Sequence, residues 1–125
     1  MEKEVIHFDG SSSQRPLSKV VKAGDFLFLS GQPPIDPETG KFCDGNIEEQ
    51  TRVTLDLIKN TLQAVGSSLD KVVKTTVFCT NAAHYHRVNA VYATYFPTDP
   101  PARTFVTVGS WPESFDIEIE CVAIA

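Results

Sequence analysis

No stretch of this sequence approaches the roughly 18 consecutive apolar residues that a membrane-spanning helix needs. Lysine and arginine form no run, and the formal net charge is −5. A nucleic-acid surface usually shows a basic patch, so neither nucleic acid nor membrane is an expected partner. Cysteine is scarce: Cys43, Cys79 and Cys121 are odd in number and contain no C-x-x-C. They read as free thiols in a reducing compartment. The opening residues Met1-Glu2-Lys3-Glu4-Val5 lack an apolar h-region, which places the expected location in the cytoplasm. Phosphate loops, Rossmann glycine patterns and G-x-S-x-G elbows are missing, and with them the chemistries they carry. There is no internal repeat and no low-complexity segment.

What is present fits one domain, residues 1–125, with one core: 125 residues, 42% hydrophobic and 22% charged. A first strand is expected over residues 4–8, and Asp9-Gly10-Ser11-Ser12-Ser13 as a polar loop. A short strand follows over 19–22. Residues 26–30, Phe-Leu-Phe-Leu-Ser, are apolar enough to predict a central strand covered on both faces. Pro33 and Pro34 end it. Asp36-Pro37-Glu38-Thr39-Gly40 reads as a turn. Asn46 and Glu49 form a capping-box pattern, and Ile47, Thr51, Leu55, Ile58, Leu62 and Val65 make one apolar stripe. A helix is therefore predicted from Asn46 to about Val65, stopped by Gly66. Residues 72–79 are β-branched and read as a strand. A second helix should start at a cap on Thr80 or Asn81 and end at Phe96 before Pro97, with Tyr85, Val88, Val91 or Tyr92, and Tyr95 as its stripe.

The last quarter reads as two strands joined by a turn, Arg103 on the first and Glu118 and Glu120 on its neighbour. In the final strand Phe115, Ile117, Ile119, Cys121 and Ala123 share one face. The opposite face runs from Asp116, Glu118 and Glu120 to Val122 and Ile124. The order βββαβαββ gives a two-layer α+β domain, a mixed sheet with two helices on one face. The other face then lies bare, and a homo-oligomer would cover Val122 and Ile124.

Arg103 offers a planar fork that can hold a carboxylate by two hydrogen bonds, and equally fits a surface or interface salt bridge. Glu118 and Glu120 share a face, where one would have a raised pKa suited to acid–base chemistry. The pair fits a solvated strand face as well. His84 and His86, two apart, point about 200° from one another on a helix and cannot chelate one ion. Cys121, on an apolar face, reads as core.

Several segments, in order along nearly the whole chain, resemble the reactive intermediate deaminases of the RidA or YjgF type, also known as the L-PSP endoribonuclease family. These are Ser30-Gly31-Gln32-Pro33, the turn at 36–40, Gln50-Thr51-Arg52, Val73-Lys74-Thr75-Thr76-Val77-Phe78, Val88-Asn89-Ala90-Val91-Tyr92, Pro101-Ala102-Arg103 and Ile117-Glu118-Ile119-Glu120. The resemblance implies a chorismate-mutase-like fold assembled as a homotrimer with a central β-barrel and sites between subunits. It implies hydrolysis of enamines and imines of 2-oxo acids to the oxo acid and ammonia, with no metal or organic cofactor. By position, Arg103 matches the arginine that clamps the substrate carboxylate and Glu118 the glutamate that orients water. Gly31, with Ser30 beside it, matches a backbone contact to substrate, and Asn89 lines the cleft. Two positions depart from the family pattern. Leu17 stands where tyrosine is common, and Phe105 where cysteine is common. Both make the expected pocket more apolar. A bulkier substrate such as 2-aminomuconate, or a non-catalytic small-ligand or protein-binding trimer, is the alternative. A ribonuclease activity fits poorly with the −5 charge.

Overall fold

Asn46 caps helix α1, Ile47–Ala64, accepting from the Glu49 amide at 2.9 Å through its side-chain oxygen. Three- and four-residue spacing buries Ile47, Thr51, Leu55, Ile58 and Leu62 on one stripe, widened by Gln50 and Thr54. Val65 is the C-cap, half-buried, and Gly66 follows at φ 85°, a left-handed conformation that a side chain would strain.

The computed structural model describes residues 1–8 and 15–125, so the polar loop expected at residues 9–13 lies outside the described residues. Six strands, β1 (Lys3–Ile6), β2 (Val20–Ala23), β3 (Phe26–Gln32), β4 (Val72–Cys79), β5 (Ala102–Thr107) and β6 (Ile117–Ile124), form one sheet. Its order is β1-β2-β3-β6-β4-β5, with β4 and β5 parallel and every other pair antiparallel. Helix α2 (Tyr85–Tyr95) connects the parallel pair β4 and β5, and α1 connects β3 to β4 with β6 between them. Both helices lie on one face, their apolar stripes closing over Val20, Leu27, Leu29, Val77, Cys79, Ile117, Ile119, Cys121 and Ala123.

Three expectations change. The last two strands are not neighbours: β6 sits between β3 and β4, and β5 takes the edge. Nothing local to residues 108–116 signals this, because strand order is a non-local property. Strand β3 is covered on one face only: Leu27 and Leu29 are buried, whereas Phe26 and Phe28 are 44% and 46% exposed. Asn81 caps a short 3-10 turn, Ala82–His84, instead of α2 itself, and α2 buries Val88, Val91 and Tyr92 while leaving Tyr85 exposed. Smaller differences lie at the ends, β1 stopping at Ile6 and β2 running Val20–Ala23.

The bare face is continuous. Register places Phe26 opposite Ile124 and Phe28 opposite Val122. Ile124 is 44% exposed. Glu118 and Glu120 alternate with the buried Ile117, Ile119 and Cys121, so they stand on this bare face too.

Candidate active site

Glu118 is positioned from the start of β6. The buried Gln50 accepts from the Asp116 amide at 2.8 Å, and Thr80 donates to the Asp116 carboxylate at 2.9 Å. Two residues on, the Glu118 carboxyl rests against Gly31. A side chain at Gly31 would run into the Glu118 carboxylate, which would have to move aside to admit it. The strand bulges here. Leu29 faces Cys121 and Gln32 faces Ile119, so Ser30 and Gly31 together oppose Glu120. Gly31→Ala is expected to push the Glu118 carboxylate off this position while leaving the fold intact. A crystal structure of the variant with Glu118 unmoved would contradict it.

Desolvation, and next the charge of Glu120, raise the pKa of Glu118 above its ordinary value. Cys121 behaves as core: burial pushes its thiol up to about 12.

At the bulge, the Ser30 hydroxyl donates to the Ser18 carbonyl at 2.6 Å and its amide to the Lys19 carbonyl at 3.0 Å. These bonds hold the segment that carries Leu17 beside Gly31. Leu17, Ser30, Gly31, Ile35 and Ile58 line a cavity of about 230 Å³, and Leu17 is 48% exposed.

Arg103 belongs to a second half-site. It pairs in register with Thr75 of β4, so its side chain rises on the helix face. There it meets α2. Its guanidinium carbon lies 4.8 Å from the Tyr92 ring centroid, 5.6 Å from Tyr85 and 5.9 Å from Phe105. Tyr85 packs edge-on against Phe105 at 5.0 Å, and its hydroxyl accepts from Arg103 at 3.4 Å. Among the described residues no carboxylate pairs with Arg103. Asn89, Tyr92, Ala93, Phe96, Pro100, Pro101 and Arg103 bound a cavity of about 300 Å³. Asn89 Oδ1 is buried without a hydrogen-bond partner.

One chain therefore groups Leu17, Ser30, Gly31 and Glu118 in one place, and Asn89, Arg103 and Phe105 in another. It does not bring the two groups together. Arg103 aligns with Thr75 and Glu118 with Phe78, three residues apart on β4, an odd offset that sends them to opposite faces. Tyr85 and Tyr92 were not singled out as site residues in the sequence, although their seven-residue spacing, with Asn89 between, aligns all three along one side of α2. His84 and His86 share no site: His84 ends the 3-10 turn, and His86 lies edge-on to Tyr85.

The family model described as Endoribonuclease L-PSP matches residues 10–125. A RutC family protein of Pyrococcus horikoshii is 44% identical over 122 residues, 97% of each chain. Reactive Intermediate Deaminase A, chloroplastic, of Arabidopsis thaliana is 39% identical over 124 residues, 98% of this chain and 66% of that protein. The crystal structure of a Rid-family protein of unknown function from Yersinia pestis superposes with a TM-score of 0.90 at 38% identity, covering 99% of this chain and 100% of that one. By the family model, these relatives and the shared fold, the chain belongs to the YjgF/RidA family of Rid proteins.

Proposed function

We propose that this protein is an enamine and imine deaminase, hydrolysing 2-imino acids to 2-oxo acids and ammonia as a homotrimer with its sheets around a central barrel. The observation that carries this reading is Arg103, a guanidinium seated among ring faces and paired with no carboxylate among the described residues. Such a fork holds a substrate carboxylate by two charge-assisted bonds. The substrate's C2 is then fixed in place, and fixing reactants supplies much of what a reactive imine needs.

Water held by the Glu118 carboxylate near Gly31 attacks C2 of the protonated imine. The C–O bond forms as the C=N electron pair moves to nitrogen, and Glu118 takes the water proton. Glu118 returns the proton to the amine nitrogen of the carbinolamine; the hydroxyl loses its own proton to water as C=O forms and the C–N bond breaks, releasing ammonia and the oxo acid with Glu118 ionised as it began. The unpaired Asn89 oxygen is suited to accept an N–H from the imine. Phe105 and Leu17 supply apolar walls and favour a substrate with a larger side chain than the smallest imino acids. The scheme calls on no metal or organic cofactor.

Arg103 and Glu118 face opposite ways in one chain, so a complete site needs two copies. The bare face of Phe26, Phe28, Val122 and Ile124 supplies the surface for that assembly.

The test is ammonia release from 2-iminopropanoate, 2-iminobutanoate and bulkier imines generated in situ by an amino-acid oxidase. Rates above the spontaneous hydrolysis support the reading. Binding of 2-oxo acids without turnover by any imine would replace it with the non-catalytic alternative. The pH profile is a further check. A base must be ionised, and the pKa of Glu118 is raised, so kcat/KM should fall as pH drops through a value above the usual carboxylate range. Glu118→Gln should remove that limb along with most of kcat.

A further inference from the structure

The mechanism uses Arg103 but not what lies beneath it. Tyr92 is 6% exposed, so its ring is part of the core, yet of the three rings around the guanidinium its centroid is the nearest, at 4.8 Å. The ring is fixed at both ends. Its hydroxyl is 2.7 Å from Thr75 Oγ1, both groups buried, and its ring packs on Phe96 at 4.7 Å between centroids. Thr75 is also the register partner of Arg103 across the β4–β5 ladder. One residue of β4 therefore sets both the height of the Arg103 backbone and the place of the ring.

We propose that Tyr92, anchored by Thr75, is a positioning residue that sets the plane of the Arg103 guanidinium so that its edge faces the carboxylate of the substrate. The proposal rests on the reading of Arg103 as the carboxylate clamp. The physical logic is the choice of partner. An acidic residue would orient an arginine equally well but would occupy the fork it is meant to present. A ring face attracts the cation through its quadrupole and takes no N–H. Of the five N–H donors, the Tyr85 hydroxyl at 3.4 Å engages one, on Nη2, and among the described residues the rest of the edge stays open. A side chain with many rotamers is thereby held ready before substrate arrives, which lowers the ordering cost of binding.

The experiment compares wild type, Tyr92→Phe and Tyr92→Leu as full chains. Two readouts are taken: the proton-exchange rate of the Arg103 Nε–H by nitrogen-resolved NMR, assigned with Arg103→Lys, and kcat and KM for 2-iminobutanoate. Tyr92→Phe keeps the ring face and should hold both readouts within about threefold of wild type. Tyr92→Leu removes it and should raise KM about tenfold with kcat little changed, while the Nε–H exchanges faster. A purely structural role would lower the melting temperature in both variants without splitting KM from kcat. Should Tyr92→Leu fail to fold, Tyr92→Met replaces it: it also removes the ring face while filling the core volume, and it should give the same faster exchange and rise in KM. Unchanged exchange and KM in the leucine variant, or equal damage from phenylalanine and leucine, would overturn the proposal. If wild type itself shows no turnover, the deaminase reading fails, and the exchange measurements still decide whether the ring orders the arginine.

Discussion

Arg103→Ala is expected to lower kcat/KM for small 2-imino acids by two to three orders of magnitude. A bidentate bond between guanidinium and carboxylate contributes on the order of 3–4 kcal/mol, which is that factor. The loss should be specific to acids. A neutral imine lacking the carboxylate never used the fork, so the variant should treat it as wild type does. Fold stability should change little, because Arg103 touches ring faces and one tyrosine hydroxyl and neutralises no carboxylate among the described residues. Arg103→Lys should recover only a fraction: an ammonium keeps the charge but not the two parallel donors. Steady-state kinetics of the three proteins on one imino acid and one neutral imine measure all of this. If Arg103→Ala matches wild type on the imino acid, the clamp assignment fails.

The second large effect concerns mixing. Arg103→Ala and Glu118→Gln should each be nearly inactive alone. Unfolded together and refolded as mixed assemblies, they should regain activity. The reason is the register: Arg103 aligns with Thr75 and Glu118 with Phe78, on opposite faces of the sheet. A site that takes Arg103 from one copy and Glu118 from the next is intact wherever the undamaged halves meet. Random mixing in equal amounts restores about a quarter of the clefts in a cyclic trimer. If both residues served the same site from one chain, every cleft would carry a lesion and mixing would restore nothing. Wild-type material carried through the same refolding calibrates the yield.

Local signals were legible and non-local ones were not. Helix α1 could be read in the sequence because its cap, its period and its glycine stop lie within one continuous segment, and the structure keeps all three. Strand β4 was legible for the same reason, its β-branched residues filling Val72–Cys79. The insertion of β6 between β3 and β4 was not, because no residue of residues 108–116 encodes which strands its neighbours will pair with. The reading of Phe26 and Phe28 as covered mistook composition for burial. Both are apolar, yet each is nearly half exposed in the single chain. At the site, Arg103 and Glu118 could be singled out by residue type and resemblance, and Gly31 by its motif. That the arginine and the glutamate turn away from each other needed the ladder. Tyr92 hid in plain view because a buried tyrosine on an apolar stripe looks like core, which it also is.

The carboxyl against Gly31 has a consequence for inheritance. A carboxyl whose folded pKa is raised adds stability only at low pH, and that contribution is lost as pH rises through the folded value. Near neutrality an ionised Glu118, short of water and beside Glu120, is a standing drain on the fold. Drift alone would favour a neutral side chain there, since replacements that stabilise are common wherever function does not forbid them. If nothing used the cleft, replacing this glutamate by a neutral residue would be expected to bring a gain in stability and no loss.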